Sequence, residues 1–409
     1  MNGNGSPTWP GPLAGLRVLD LTRVLAGPFL TQMLADLGAE VLKVEAPGQG
    51  DETRTFAPQR DGESHYFLAL NRQKKSLVID LAQPAGAELL RGLAAQSDVL
   101  VENFRPGVMD RLGLGWEAMS QVNPRLVYCA VSGFGLSGPL RDKPSFDIVT
   151  QAMAGVLSVN GEAGATPVKL GVPLGDMVGG IFGSVGVLAA IHERQTTGRG
   201  RLVDIGLHDG TLGMLGYLAQ RYFFTGEDPR PVGTGHPSIV PYGAFPASDG
   251  QVIVACLTQV FWSRLCTALE RPELIDDARF ATNAARVERR AEVDALIAEA
   301  MRGRTVADWV ERLTRHDVPN APVLGVGAAL EHPQSRAREM VVEAQHPRLG
   351  PIRMVGRPVK FPGSPQAPLA PPPMLGEHTV QVLRERLGLD ESTLEALRRD
   401  GVIDRTGAA

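Results

Sequence analysis

Short apolar runs alternate with longer amphipathic stretches through the first half of the chain. Leu16–Leu21 and Ala39–Glu45 read as strands, and Phe29–Leu37 between them has helical spacing that stops at Gly38. Strand, helix and strand at this spacing predict a βαβ unit, and therefore a parallel sheet. Further strands are expected at Ser76–Leu81, Asp98–Glu102, Leu126–Val131 and Gly198–Ile205. Pro84–Ala95 reads as a helix opened by an early proline. Phe146–Gly155 and the apolar run after Asp176 also read as helices, and another follows Ile205 to about Tyr222.

Composition changes at Thr225, where a Gly- and Pro-rich stretch runs to Pro241 and marks a boundary. Ala244–Ala255 predicts a hairpin turning at Asp249-Gly250. Charged amphipathic helices follow through Leu313, with Arg271, Arg286, Arg289 and Arg290 expected to face water. Pro319–Pro373 is Pro-rich and reads as a partly extended return across a surface, before closing helices at Glu377–Leu387 and Glu391–Asp400. The whole predicts an α/β fold. Residues 13–225 form a large domain on a Rossmann-like, mostly parallel sheet, and 226–330 a smaller α+β domain. Residues 331–409 return to complete the large domain, and 1–12 form a disordered lead-in.

Length and composition narrow the function. A chain of 409 residues exceeds one ordinary core, and 43% hydrophobic with 21% charged residues describes a globular protein. The longest apolar run, Gly179–Ile191, is shorter than the ~20 residues of a membrane-spanning helix. The first residues lack a basic patch followed by an apolar core, so no signal peptide is expected. Cys129, Cys256 and Cys266 are scattered in apolar contexts without metal-ligand spacing, which suggests buried thiols in a reducing cytoplasm and no metal site. A net charge of −4 gives no electrostatic case for nucleic acid. No Gly-x-Gly-x-x-Gly follows the first strand, which argues against a nicotinamide cofactor.

Ligands of open α/β sheets bind outside the C-terminal ends of the strands. Here those ends lead into Val24–Pro28, Ala46–Asp51, Asn103–Gly107 and Ser132–Pro139. Lys43, Arg72, Lys74, Lys75, Arg105 and Arg111 lie nearby, and on such a surface lysines and arginines are ordinarily solvated. The best chemical candidate is Asp176, the single ionisable side chain in the stretch that follows Lys169 and ends at Gly183. An aspartate where an extended segment turns into a helix is ordinarily an N-cap. Gly179, Gly180, Gly183 and Gly186 after it make a small-residue face, ordinarily a place of tight packing. A carboxylate in such a setting can also shuttle a proton or attack an activated acyl group. His236, beside Pro237 in a loop, reads as structural or as a residue gating a ligand.

Several stretches resemble one family in order and spacing. They include Gly15-Leu-Arg-Val-Leu-Asp-Leu, Ala26-Gly-Pro, Leu37-Gly-Ala-Glu-Val-Leu-Lys-Val-Glu and Asn71-Arg-Gln-Lys-Lys-Ser. Val101-Glu-Asn-Phe-Arg-Pro-Gly, Arg111-Leu-Gly, Asn123-Pro-Arg, Gly175-Asp and Thr197-Gly-Arg-Gly follow. Together they resemble the class III CoA-transferases from Leu13 to about Leu397. The resemblance implies an interlocked, ring-like homodimer and no permanently bound cofactor, with acyl-CoA and a carboxylic acid as substrates. Asp176 falls on the family's nucleophile, and CoA would lie along Ala26, Ile79, Asp80, Leu81, Ala82, Asn103, Phe104, Arg105 and Arg111. Leu25, Phe56, Tyr66, Phe146, Asp147, Gly235 and His236 would line the substrate pocket.

Departures from the pattern narrow the acceptor. Oxalate-using members carry Gln where Leu25 stands and a tetraglycine loop where Thr234–Pro241 stands, so another acceptor is implied. The Gly-His-x-Ser-Ile-Val-Pro-Tyr loop resembles members using succinyl-CoA with glutarate-like or other dicarboxylates. The alternative on the same fold is an α-methylacyl-CoA racemase, which needs a histidine at the position of Phe146. A non-catalytic CoA-binding protein is the alternative of another class.

Overall fold

The computed structural model describes residues 9–364 and 367–403. Six strands make the main sheet: β1 (Arg17–Asp20), β2 (Glu40–Glu45), β3 (Lys74–Val78), β4 (Val99–Glu102), β5 (Val127–Ser132) and β6 (Leu202–Gly206). Their order is β3-β2-β1-β4-β5-β6, and every pairing is parallel. The order reverses between β1 and β4, so the loops leaving these two strands open the crevice where such sheets take ligands.

Successive residues of a strand point to opposite faces, and here both faces are covered. Val18, Val41, Val99 and Val127 pack on one side with Leu30 and Leu34 of α1 (Ala26–Asp36). Leu19, Leu42, Leu77 and Leu100 pack on the other with Leu90 and Leu93 of α2 (Pro84–Ala94). Burial on both faces explains why apolar residues follow one another directly in these strands, as in Val41-Leu42, Leu77-Val78 and Val99-Leu100-Val101. Two further helices are α3 (Asp147–Met153) and α4 (Leu174–Thr197). Val187 of α4 joins the α1 side of the core. By length and composition α4 could cross a membrane, because the helix extends beyond the apolar run on which the sequence estimate rested. Its buried residues Val178, Gly179, Gly180, Gly183, Ser184 and Val187 instead make it a core helix of the sheet unit.

The chain divides into two compact units, residues 1–156, 171–216 and 336–409 in one, 157–170 and 217–335 in the other. The second unit thus starts before residue 226 and takes in a separate segment, which local composition did not reveal. The helix expected to run on to Tyr222 is broken into Leu207–Gly213 and Tyr217–Thr225. Strands Tyr242–Pro246 and Gln251–Ala255 form the expected hairpin, and Asn320–Pro322 pairs with the second of them. Arg286 does not face water: it is 1% exposed, donates to the carbonyls of Val240 and Phe280, and stacks over Trp262 at 4.8 Å.

The return segment is more regular than its prolines suggested, with a hairpin of Val341–His346 and Gly350–Val355. It closes on the sheet, where Asp80 N–H donates to Val402 O at 2.8 Å and Thr379 Oγ1 accepts from Val78 N–H. At the other end Trp9 packs edge-on against Phe361, so the ordered chain begins earlier than expected, while residues 1–8 of the lead-in lie outside the described residues.

Glu102, at the C-terminal end of β4, is buried and accepts from Phe104 N–H at 2.8 Å. Burial pushes its carboxyl up to about 8, Asp110 adds to this, and the Phe104 bond opposes it. Its folded pKa lies above the ordinary 4.5, so its stabilising contribution is full below about pH 4.5 and is lost as pH rises through about 8. Glu102→Gln should therefore lose less Tm than wild type between about pH 5 and about pH 9 in a thermal melt series. Parallel Tm–pH curves would refute this.

Candidate functional site

The loops at the strand switch enclose a cavity of about 190 Å³. Leu21, Thr22 and Arg23 line it from the β1 end, and Phe104 and Leu112 from the β4 side. Val44 and Glu45 end β2 and Ala46 follows it, and Ile79, Asp80, Leu81 and Ala82 follow β3. The Ile79–Ala82 segment and Phe104 therefore line one hollow. Asn103 acts otherwise. Its side chain donates to Arg23 O and accepts from Arg23 N–H, both at 2.8 Å, and so braces the loop. Arg105 and Arg111 are exposed and are not among the residues lining the cavity.

Arg23 is the cation at this cavity, and sequence reasoning did not single it out. Its guanidinium sits 4.8 Å from the centre of the Phe104 ring and pairs with Glu52 at 2.6 Å. The signal was positional, since Arg23 begins the loop after β1, on one side of the switch.

Of the lysines near these loops, Lys75 is partly exposed, whereas Lys43 and Lys74 are not solvated. Lys43 and Lys74 are 0% and 3% exposed, and Arg72 is buried against Asp36. Lys43 Nζ meets Asp51 and Lys74 Nζ meets Asp20, each at 2.9 Å. Burial acts to raise the carboxyl pKa of Asp20, but Lys74, Lys43 and the hydroxyls of Thr22 and Thr31 outweigh it and hold Asp20 low. Burial, with Lys43 beside it, draws Lys74 down to about 8 against the pull of Asp20.

Asp176 lies in the first turn of α4, not at its N-cap, which is Pro173. Asp147, at the start of α3, serves that helix end instead: its Oδ1 accepts from Gly175 N–H at 2.8 Å, and its Oδ2 accepts from Gln151. The N–H of Gly175 is thus held by a residue remote in sequence, and Asp176 follows it in the same turn. A Cβ on Gly175 would come within 2.4 Å of Thr150 Oγ1, so only glycine fits beside Asp176. The glycine face beyond it packs on α1. A Cβ at Gly180 would meet Ala26 O at 2.9 Å, and one at Gly183 would meet Leu30 Cδ1 at 2.3 Å.

Tyr66 is half-buried, and its ring lies edge-on to Phe56 at 5.4 Å. Burial first, then the charges of Asp176, Asp147 and Asp51, push its hydroxyl up to about 12. Tyr66, Phe56, Asp147 and Asp176 are thereby brought to one region, with Ala26 and Leu25 buried at the start of α1. Phe146 is 71% exposed at the N-cap of α3. Gly235 and His236 belong to the second unit. There the His236 ring stacks on Tyr217 at 5.6 Å, and its carbonyl accepts from Arg290 at 2.6 Å. Burial and then Arg290 hold its imidazole below the usual range.

The sequence matches CoA-transferase family III over residues 13–379. It is 35% identical over 414 residues to succinyl-CoA:glutarate CoA-transferase of Homo sapiens, across 98% of this chain and 94% of that one. It is 37% identical over 396 residues to succinyl-CoA–D-citramalate CoA-transferase of Chloroflexus aurantiacus, across 96% and 98%. The crystal structure of a CaiB/BaiF family protein from Brucella suis superposes with a TM-score of 0.84 at 36% identity, across 92% of this chain and 99% of that one. With the match spanning nearly the whole length, the chain belongs to CoA-transferase family III and is an enzyme that transfers CoA.

Proposed function

We propose that this enzyme moves CoA from succinyl-CoA to a dicarboxylate, with Asp176 as the covalent nucleophile. The observation that carries this reading is the placement of Asp176. It stands in the first turn of α4 next to Gly175, whose N–H is held by Asp147 and whose lack of a Cβ lets that turn pack against Thr150. The names of the human and Chloroflexus relatives support the donor and the acceptor class.

In this mechanism an Asp176 carboxylate oxygen attacks the thioester carbonyl, and the C–S bond breaks to give an anhydride and CoA thiolate. The thiolate attacks the aspartyl carbonyl of that anhydride, which releases the donor acid and leaves an aspartyl-CoA thioester. The acceptor carboxylate then displaces the thiolate to form a second anhydride. Attack of the thiolate on the acceptor's acyl carbon completes the new thioester and regenerates the Asp176 carboxylate. Part of CoA occupies the cavity lined by Ile79–Ala82 and Phe104, and Arg23 on that lining is suited to pair with a phosphate. Phe56 and Tyr66 line the acyl pocket, with Leu25 nearby. Phe146 supplies no proton acceptor, which weighs against racemisation.

Family resemblance also supports a homodimer. Ile181, Phe182 and Val185 of α4 are 43–58% exposed, as expected of a surface that a second copy covers. Light scattering should give twice the 43.7 kDa chain mass, and a monomer at micromolar concentration would refute this.

The main test incubates enzyme with succinyl-CoA and a panel of glutarate-like acids, oxalate and monocarboxylates, and reads CoA thioesters by mass spectrometry. Wild type should yield new dicarboxyl-CoA thioesters, and Asp176→Ala should lower the rate ~10³-fold or more while still binding CoA. Substantial transfer by the variant would sink the nucleophile, and epimerised 2-methylacyl-CoA without transfer would favour the racemase. For CoA recognition, Arg23→Ala should weaken binding about 5- to 10-fold by calorimetry, roughly 1–1.4 kcal/mol. Arg111→Ala should change it less, and the reverse ranking would restore Arg111 as the principal phosphate partner.

A further inference from the structure

The turn from Thr22 to Pro28 joins the two halves of the site. At its start Thr22 and Arg23 line the cavity, and at its end Ala26 O abuts Gly180, one helical turn beyond Asp176 and on the same face. The turn is not relaxed. Val24 has φ of 66°, a left-handed conformation that is costly for a β-branched residue and persists only where the surroundings impose it.

What imposes it is a set of buried side chains from neighbouring strands. Lys74 Nζ donates to Pro28 O at 3.0 Å, to Asp20 Oδ2 at 2.9 Å and to Asn71 Oδ1 at 2.9 Å. Thr31 Oγ1, one turn into α1, donates to the same Asp20 oxygen at 2.6 Å. The other Asp20 oxygen accepts from Thr22 N–H at 2.9 Å and from the Thr22 hydroxyl. Lys43 Nζ donates to Thr22 O at 2.8 Å, and Val24 N–H reaches Asp51 Oδ1 at 3.3 Å. Both ends of the turn, Thr22 and Pro28, are thus tied to a single ion pair that neither lines the cavity nor carries the nucleophile.

We propose that the Lys74–Asp20 pair is a positioning device for transfer, which fixes the Thr22–Pro28 turn so that a thioester seated in the cavity is registered against Asp176. Lys74 and Asp20 act through the turn and touch no substrate. A loosened turn costs CoA binding little, because the Ile79–Ala82 wall and Phe104 remain and Asn103 still holds the Arg23 backbone, and it lowers the chemical step. The inference rests on the transferase reading given above.

The test removes both charges together. Lys74→Met alone strands a buried carboxylate, whereas Lys74→Met with Asp20→Asn leaves no unpaired charge and is the variant expected to fold. Expected are CoA affinity within about 3-fold of wild type by calorimetry and kcat lowered ~10²-fold, as small misplacements produce. Hydrogen exchange should quicken in the 21–31 segment and stay unchanged in β4 and β5. Thr31→Val, which loosens the same carboxylate and keeps both charges, should move kcat the same way by several-fold. A kcat within about 3-fold of wild type in both variants, or unchanged exchange in the 21–31 segment, would overturn the proposal. A parallel loss of CoA binding would also overturn it, since the pair would then be merely structural. If wild type transfers no CoA to any acid, the transferase reading fails instead, and the exchange result still decides whether the pair holds the turn.

Discussion

Two lysines, Lys43 within β2 and Lys74 at the start of β3, are taken wholly out of water, and the geometry of the Thr22–Pro28 turn depends on how they are compensated. A buried ammonium group is tolerable only when opposite charge and hydrogen-bond acceptors surround it. Here the acceptors include main-chain carbonyls of a functional turn, so satisfying the lysines and shaping the turn are one event. Asp51 extends the network: its N–H donates to Glu45, which in turn accepts both Nε and Nη2 of Arg54. Arg54 then lies 3.6 Å from the Phe67 ring centre and donates to Pro373 O, which ties the C-terminal return to the same array. Breaking one partner leaves the others buried and unpaired, so the network behaves as a unit.

Glycine solves the complementary problem of approach. Helices α1 and α4 touch at Gly180 and Gly183, where no side chain larger than hydrogen fits against Ala26 and Leu30. That contact brings the first turn of α4 beside the start of α1. Asp147 takes over the free N–H of Gly175. Close packing and remote capping together fix the first turn of α4, which carries Asp176.

Much of this was legible in sequence, for identifiable reasons. Strands buried on both faces give continuous apolar runs, so β1, β2, β4 and β5 were found within a residue or so of their ends. Asp176 stood out because its surroundings hold no other charge. What escaped reading was long-range. Lys43 and Lys74 look like any surface lysines until Asp51 and Asp20, at quite different separations, are brought to them. Arg286 is hidden for the same reason, since its acceptors at Val240 and Phe280 are carbonyls, which leave no trace in the sequence. The hairpin at Val341–Val355 has only one buried face, and its alternation was masked by flanking prolines.

Charge at the site is then partitioned by burial. Tyr66 faces three carboxylates and is partly withdrawn from water, so its hydroxyl keeps its proton well beyond neutral pH and can donate without titrating. Asp20 and Lys74 hold opposite charges deep in the fold, where solvent ions screen them little. Arg23, by contrast, is half exposed and shared between Glu52 and the Phe104 face, so a ligand anion can compete for it at modest cost. Permanent charge is buried where it fixes geometry, and exchangeable charge is left at the rim where a ligand must come and go. An enzyme that transfers CoA has use for both.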